Sequence, residues 1–177
     1  MYILNDWEIT ERIGGQPQSD VCIVRMPARF DFIGGWTDTP PYYFDNEAAV
    51  LNASIIVSGE SDELLKRGFI QVTVKRSEYF NVMVNGRHLE FPYNNRILSA
   101  VFGFLEMKEP ALSIHIENYI PEGSGLGGSS LYFTSLLASL WGLYYGVDYV
   151  RCNIQKLINN VLYLEQNIDS GGGWQDQ

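Results

Sequence analysis

The chain has 177 residues, of which 46% are hydrophobic and 14% aromatic, and its formal net charge is −9. This length and composition predict one folded domain with its own core and exclude an intrinsically disordered chain. The negative charge repels phosphodiester backbones, which argues against a general nucleic-acid binder but not against a nucleotide bound with a divalent cation.

The cysteines and the N-terminus indicate the cellular compartment of the protein. Cys22 and Cys152 lie far apart, and neither belongs to a Cys-x-x-Cys pair, so the sequence indicates neither a disulfide framework nor a zinc site. We expect free thiols in a reducing compartment. The first residues lack the basic start and apolar centre of a secretory signal, and we predict a cytoplasmic protein.

Strands dominate the first half of the chain. Runs rich in β-branched and aromatic residues predict strands over 21–25, 30–33, 50–57 and 70–75. The dipeptide Asn85-Gly86, between residues 79–84 and 87–91, predicts a β-hairpin because it supplies the positive φ angles of a type I′ turn.

Helices dominate the second half. Apolar spacing predicts a helix over 95–107, and strict alternation predicts a half-buried strand over 111–117. The stretch from 123 to 147 has no charged residue, but it begins with glycines and contains several hydroxyl side chains. We therefore predict a buried helix from about Ser129, not a membrane span. A last helix is predicted over 150–168, and the element order indicates an α+β domain with a mixed or antiparallel sheet.

A glycine-rich loop precedes the buried helix, where residues 121–130 read Pro-Glu-Gly-Ser-Gly-Leu-Gly-Gly-Ser-Ser. Such a loop leaves backbone N–H groups facing a ligand, and the positive end of the following helix attracts phosphate. Ser129 and Ser130 could cap the helix or offer a hydroxyl to a metal ion. The alternative is a flexible turn with a serine N-cap, and spacing alone does not decide between them. The loop is not a Walker A motif, because no Gly-Lys-Ser/Thr follows.

One carboxylate lies on an apolar helix face. Helical spacing places Glu165 within the stripe formed by Ile154, Ile158, Val161 and Ile168. Burying an ionised carboxylate is costly unless something pairs with it, and the candidates are a divalent cation and a basic side chain. We favour the cation, because residues 169–177 carry three glycines, a tryptophan and two aspartates and also look like a site. The alternative for that segment is a frayed polar end.

A third segment gathers ionisable groups around a glycine turn. Arg29, Asp31 and Asp38 flank Gly34-Gly35, and we expect Asp31 to make an ordinary surface salt bridge. The segment 25–54 resembles the first motif of the GHMP kinases, 121–130 resembles their phosphate loop, and 171–177 resembles the stretch with the catalytic aspartate. The pieces Gly-Gly-Trp-Thr-Asp-Thr-Pro-Pro and Gly-Gly-Gly-Trp-Gln-Asp-Gln are similar to fucokinases in particular. Heptose-phosphate kinases share these motifs but usually lack the tryptophans.

The resemblance implies a GHMP N-terminal ATP-binding domain over 1–177, with the C-terminal GHMP domain absent from this chain. It implies a ribosomal-protein-like two-layer α+β fold with helices on one side of the sheet. It further implies the transfer of a phosphoryl group from ATP, with Mg²⁺, to the anomeric hydroxyl of a sugar. L-fucose is the expected substrate, fucose 1-phosphate the product, and the chain alone is expected to be inactive.

The resemblance also implies roles for single residues. Asp176 would act as catalytic base with Arg29 close by, and Ser129, or alternatively Ser130, would hold Mg²⁺ with Glu165. The remaining roles are phosphate binding by Gly123, Ser124, Gly125, Leu126, Gly127, Gly128, Ser129 and Ser130, and sugar binding by Gly35, Trp36, Asp38 and Trp174. Galactokinase-like members carry an acid where this chain has Gly35, so galactose is a poor candidate substrate.

Three alternatives stay open. One is a heptose-phosphate kinase. A second is a non-catalytic binding module of the same fold, which the net charge of −9 argues against if the ligand is RNA. A third is a half-domain that self-associates through apolar surface left bare by the missing domain. The expected partners are ATP and a small sugar, with neither nucleic acid nor membrane.

Overall fold

The computed structural model describes residues 17–39, 41–55, 68–90, 94–108 and 110–168. Its strands are β1 Val21–Met26, β2 Ala28–Ile33, β3 Leu51–Ile55, β4 Ile70–Arg76, β5 Asn81–Val84, β6 Arg87–His88 and β7 Leu112–Asn118. Its helices are α1 Tyr42–Asp45, α2 Arg96–Phe104, α3 Gly128–Tyr145, α4 Val147–Cys152 and α5 Ile154–Asn167. Each strand predicted from the sequence is present, whereas α1 was not predicted, because four residues carry no periodic signal.

Five strands form a mixed sheet in the order β1-β4-β7-β5-β6, in which β7 and β5 are parallel and the other pairs antiparallel. The alternation predicted for β7 is confirmed, since Ile114 and Ile116 are buried while His115 between them is exposed. The buried face of the sheet packs against the helices, and α3 contacts both β1 and β4. The predicted α+β class with a mixed sheet is therefore confirmed.

The other two strands, β2 and β3, form a separate antiparallel ribbon. Because successive side chains of a strand point to opposite faces, Arg29 and Asp31 share one face of β2 and Phe30 and Phe32 share the other. The two phenylalanines are exposed and contact each other edge to face, with ring centroids 5.3 Å apart. Arg29 and Asp31 are half-buried. The ribbon thus turns its charged face toward the rest of the domain.

The predicted hairpin is confirmed at its turn. Asn85 and Gly86 have φ angles of 48° and 75°, both positive as a type I′ turn requires. Its second arm is shorter than the predicted 87–91, since β6 ends at His88.

Helix α3 occupies the middle of the core, and every residue from Ser130 to Leu143 is buried. Three of its buried hydroxyl groups are satisfied locally, because Thr134, Ser135 and Ser139 each donate a hydrogen bond to a backbone carbonyl three or four residues earlier. Among the residues that the structure describes, no helix combines the length and apolar character that crossing a membrane requires. The charge-free stretch is therefore a buried helix, as predicted.

The prediction of one continuous last helix is wrong, because α4 and α5 are separated at Asn153. The φ and ψ angles of Asn153, −116° and 27°, lie outside the helical region, and its side-chain amide donates to the Tyr149 carbonyl at 2.8 Å. Asparagine side chains compete with the backbone for such hydrogen bonds and thereby favour helix ends.

The buried face of α5 also differs in part from the predicted stripe. Ile154 is 53% exposed, and the core-facing residues are Leu157, Asn160, Val161, Leu162, Leu164 and Glu165. The packing of α5 against α3 determines which of its residues are buried. The burial of Glu165 itself is confirmed, at 1% exposure.

Candidate functional site

The glycine loop connects β7 to the buried helix through a chain of tight turns. Gly123, Gly125 and Gly127 have φ angles of 71°, 71° and 73°, which residues with a side chain rarely adopt. Gly127 is the N-cap of α3, and no side chain caps the helix there. The serine N-cap considered as an alternative is therefore wrong, because the helix begins before Ser129. Ser129 and Ser130 instead lie in the first turn, where the backbone N–H groups have no partner within the helix.

The Ser130 hydroxyl lies against the buried carboxylate of Glu165. Its oxygen is 2.8 Å from each of the two Glu165 carboxylate oxygens, and both residues are only 1% exposed. The contact joins the first turn of α3 to the last turn of α5, across 35 residues of sequence. A buried carboxylate is stabilised by a hydroxyl donor, and the two side chains together present hard oxygen atoms beside the glycine loop.

Arg29 lies at the same end of α3. A Cβ atom added at Gly127 would be 3.5 Å from the Nε and Nη2 atoms of Arg29, so the guanidinium packs against the N-cap residue of the helix. The Arg29 and Asp31 side chains are 11% and 19% exposed and form an ion pair. The expected salt bridge of Asp31 is therefore present, but it is largely buried and is not a surface pair. Sequence alternation on β2 was the signal that could have indicated this, because residues two apart share a face.

The turn after β2 is held by short-range contacts. A Cβ atom at Gly34, which has φ 82°, would lie 1.9 Å from the Ala49 carbonyl oxygen, so only glycine fits there. The hydroxyl of Thr37 donates to the Gly34 carbonyl, and that of Thr39 donates to the Trp36 carbonyl. Trp36 has φ 71°, an uncommon value for a residue with a side chain, and it is 66% exposed. Three of the predicted sugar-binding residues, Gly35, Trp36 and Asp38, thus lie in one ordered turn.

Some predicted residues fall outside the structure's description. Asp176 and Trp174, predicted as catalytic base and sugar-binding residue, lie outside the described residues. Within the described ranges, no group of three or more His, Cys, Asp or Glu side chains could hold a metal ion. Glu165 and a serine hydroxyl would therefore provide only part of a Mg²⁺ coordination shell, which is usual where substrate phosphates and water supply the rest.

A cavity of about 690 Å³ lies between α2 and α5, lined among others by Arg96, Phe104, Tyr163 and Ile168. None of the predicted site residues lines it. We place the candidate site at the glycine loop and not in this cavity, because the loop brings together residues from three separate parts of the chain.

Known proteins are similar in sequence around this site. Residues 95–177, which include the glycine loop, α3 and α5, match the family model of the GHMP kinases N-terminal domain. The chain carries a GHMP kinase N-terminal domain. The Arabidopsis thaliana bifunctional fucokinase/GDP-fucose pyrophosphorylase is 31% identical over 175 residues, which is 87% of this chain and 16% of that protein. The Bacteroides fragilis L-fucokinase/L-fucose-1-P guanylyltransferase is 26% identical over 86% of this chain and 18% of that protein.

Solved structures share the fold of this GHMP domain. A D-glycero-D-manno-heptose 1-phosphate kinase from Bacteroides thetaiotaomicron aligns with a TM-score of 0.58 and 17% identity, over 89% of this chain and 52% of that one. The Lactococcus lactis galactokinase aligns with a TM-score of 0.56 and 15% identity, over 88% of this chain and 40% of that one. The chain therefore spans less than a fifth of the length of these curated relatives and roughly half of these solved kinases.

Proposed function

We propose that this GHMP domain binds ATP and Mg²⁺ in a sugar kinase that phosphorylates L-fucose at its anomeric hydroxyl. The observation that carries the proposal is the buried contact between Ser130 and Glu165, at the end of α3 where the glycine loop and Arg29 meet. The sugar is proposed from the two curated relatives, both of which are described as fucokinases.

The loop and helix α3 supply the phosphate site. The N–H groups of the first turn of α3 and the positive end of its dipole favour a negatively charged phosphate at residues 123–130. The guanidinium of Arg29, which is paired with Asp31, lies beside Gly127 and offers further N–H donors to a phosphate. Phosphoryl transfer needs mainly positioning and charge neutralisation, and this arrangement provides both.

The residues present fit a magnesium ion. Glu165 is an acid in an apolar environment with a hydroxyl 2.8 Å away, and carboxylate and hydroxyl oxygens suit Mg²⁺. The ion would be held by Glu165 with Ser130, as their contact suggests, or with Ser129, as the family resemblance implies. When bound, it neutralises charge on the nucleotide phosphates.

In the proposed reaction, Asp176 accepts the proton of the anomeric hydroxyl. The sugar oxygen then forms a bond to the γ-phosphorus, and the bond between that phosphorus and the β–γ bridging oxygen breaks, so that ADP leaves. Arg29 stabilises the negative charge on the transferring group. Trp36 and Asp38 would contact the sugar from the turn that follows β2.

The test measures binding of the ATP analogue AMP-PNP by calorimetry, with and without Mg²⁺. We expect Glu165→Gln, which keeps the shape and an acceptor for Ser130, to weaken binding about tenfold with Mg²⁺ and to have no effect without it. The matched control is Glu78→Gln, which removes the same charge from an exposed position between β4 and β5. A wild-type chain that binds no nucleotide, or a Glu165→Gln variant that binds as well as wild type with Mg²⁺, would contradict the proposal.

The choice of sugar needs a separate measurement. Thermal-shift experiments on the full-length kinase, with AMP-PNP present, should compare L-fucose with a heptose phosphate. We expect L-fucose to raise the melting temperature and the heptose phosphate to leave it unchanged. The reverse result would assign the domain to the heptose-phosphate alternative while leaving the kinase proposal intact.

A further inference from the structure

Asp31 lies beside residues from both halves of the candidate site. Its carboxylate pairs with Arg29, and the guanidinium of Arg29 packs against Gly127 at the start of α3. The same carboxylate oxygen, Oδ2, lies 2.9 Å from the point where a Cβ atom of Gly35 would be. Gly35 belongs to the turn that carries Trp36 and Asp38. Asp31 therefore lies between the proposed phosphate-binding and sugar-binding elements.

An ordinary surface salt bridge does not explain this placement. Exposed ion pairs contribute little, because water screens them and long side chains lose entropy on pairing. The Asp31 and Arg29 side chains are 19% and 11% exposed, whereas those of the Asp148–Arg151 pair are 93% and 76% exposed. Burial strengthens the coupling between paired charges and restricts the guanidinium to one place.

We propose that Asp31 is a positioning residue that holds the Arg29 guanidinium against the first turn of α3 and ties the turn at residues 34–39 to the phosphate loop. The inference rests on the proposed function in one respect, that Arg29 faces the nucleotide phosphates. Gly35 contributes to this arrangement by leaving space, because a side chain at that position would displace the Asp31 carboxylate. The φ angle of Gly35 is not in the left-handed region, so space and not backbone conformation selects glycine there.

The first experiment is a double-mutant cycle on the affinity for Mg·AMP-PNP. Asp31→Asn keeps the side-chain shape but removes the charge, and we expect it to weaken binding about tenfold, a coupling usual for groups that act through a direct neighbour. In an Arg29→Met background the same substitution should change the affinity less than about twofold, since the group it positions is gone. The matched control Asp148→Asn removes the acid of the exposed pair and should leave the affinity unchanged.

The second experiment observes the guanidinium directly, by NMR of the arginine Nε–Hε groups and of the Gly127 amide. Asp31→Asn should shift or broaden the Arg29 and Gly127 signals and leave the Arg151 signal in place. Asp148→Asn should shift or broaden the Arg151 signal and leave the Arg29 and Gly127 signals in place. This readout separates a positioning role from a general loss of stability, which would move signals throughout the domain.

Should Asp31→Asn fail to fold, Gly35→Ala perturbs the same carboxylate while its charge remains. We expect that variant to weaken Mg·AMP-PNP binding in the wild-type background but not in the Arg29→Met background.

Two outcomes would overturn the inference. One is an unchanged affinity in Asp31→Asn while the Arg29 signals move, and the other is an equal loss of affinity in the wild-type and Arg29→Met backgrounds. If the wild-type chain binds no nucleotide, the proposed function fails, and unchanged Arg29 and Gly127 signals in Asp31→Asn would then overturn the positioning role independently.

Discussion

A buried carboxylate is stable only if its neighbours replace the hydrogen bonds that water would supply. In this domain the neighbour is the Ser130 hydroxyl, which lies at 2.8 Å from both oxygens of Glu165. Ser129, the adjacent residue, is half-buried and lies on a different side of the helix. The two serines are therefore not equivalent, although a glycine loop followed by two serines does not distinguish them.

This difference predicts unequal effects of removing the two hydroxyls. We expect Ser130→Ala to lower the free energy of unfolding by about 1–3 kcal/mol, because a buried carboxylate loses a donor. Ser129→Ala should change it by less than about 0.5 kcal/mol, as is usual away from buried networks. Urea unfolding without Mg²⁺ measures both values. Equal losses in the two variants would show that Ser130 does not stabilise the acid.

The two cysteines differ in their surroundings in the same way. Cys22 is buried in β1 against α3, and this burial raises the pKa of its thiol above the ordinary value, whereas Cys152 is exposed. A raised pKa leaves less of the reactive thiolate at a given pH. At pH 8 we therefore expect Cys152 to react with Ellman's reagent and Cys22 to react far more slowly until the chain unfolds. Single Cys→Ser variants identify each thiol, and equal rates in the folded chain would contradict the prediction.

At the scale of elements, α3 packs closely onto β1 at Gly142. A Cβ atom at Gly142 would lie 2.5 Å from the Cys22 sulfur, so glycine is required for this approach. In α2, by contrast, a Cβ atom at Gly103 would meet nothing within 4 Å. Lack of space therefore explains the glycine at position 142, whereas no contact requires a glycine at position 103.

Two alanine substitutions test this contrast. We expect Gly142→Ala to destabilise the domain by about 1–3 kcal/mol, because it forces strand and helix apart. Gly103→Ala should stabilise it by about 0.5–1 kcal/mol, since alanine loses less entropy in a helix and finds open space. Thermal unfolding of the two variants beside wild type measures the difference. A Gly142→Ala variant as stable as Gly103→Ala would show that the helix can move away at little cost.

For the whole molecule, the length of the related kinases determines what activity we expect from this chain by itself. The solved kinases of this fold quoted above are about twice as long as the part that aligns with this chain. We expect the 177-residue chain by itself to bind Mg·AMP-PNP but to phosphorylate L-fucose at a negligible rate, since a sugar site formed by one half would lack its remaining contacts. A coupled assay for ADP release with L-fucose measures this. Robust turnover by the chain alone would show that these residues suffice for catalysis.

The charge of the whole molecule supports a small-molecule ligand. A net charge of −9 opposes binding to extended nucleic acids. It does not oppose a small anion at the N-terminal end of α3, where the helix dipole is positive and the guanidinium of Arg29, paired with Asp31, lies beside Gly127. The binding-module alternative would need salt-sensitive RNA binding, which this charge distribution opposes.

Local spacing determined much of what the sequence alone revealed. The alternation in β7, the positive φ angles at Asn85-Gly86, the charge-free buried helix and the burial of Glu165 all follow from residue types and spacing within single elements. Only the tertiary structure decided that Ser130 contacts Glu165, that Arg29 packs against Gly127 and that Asp31 is largely buried. The physical reason is that these outcomes depend on how separate elements pack together, and a periodic pattern within one element contains no information about its neighbours.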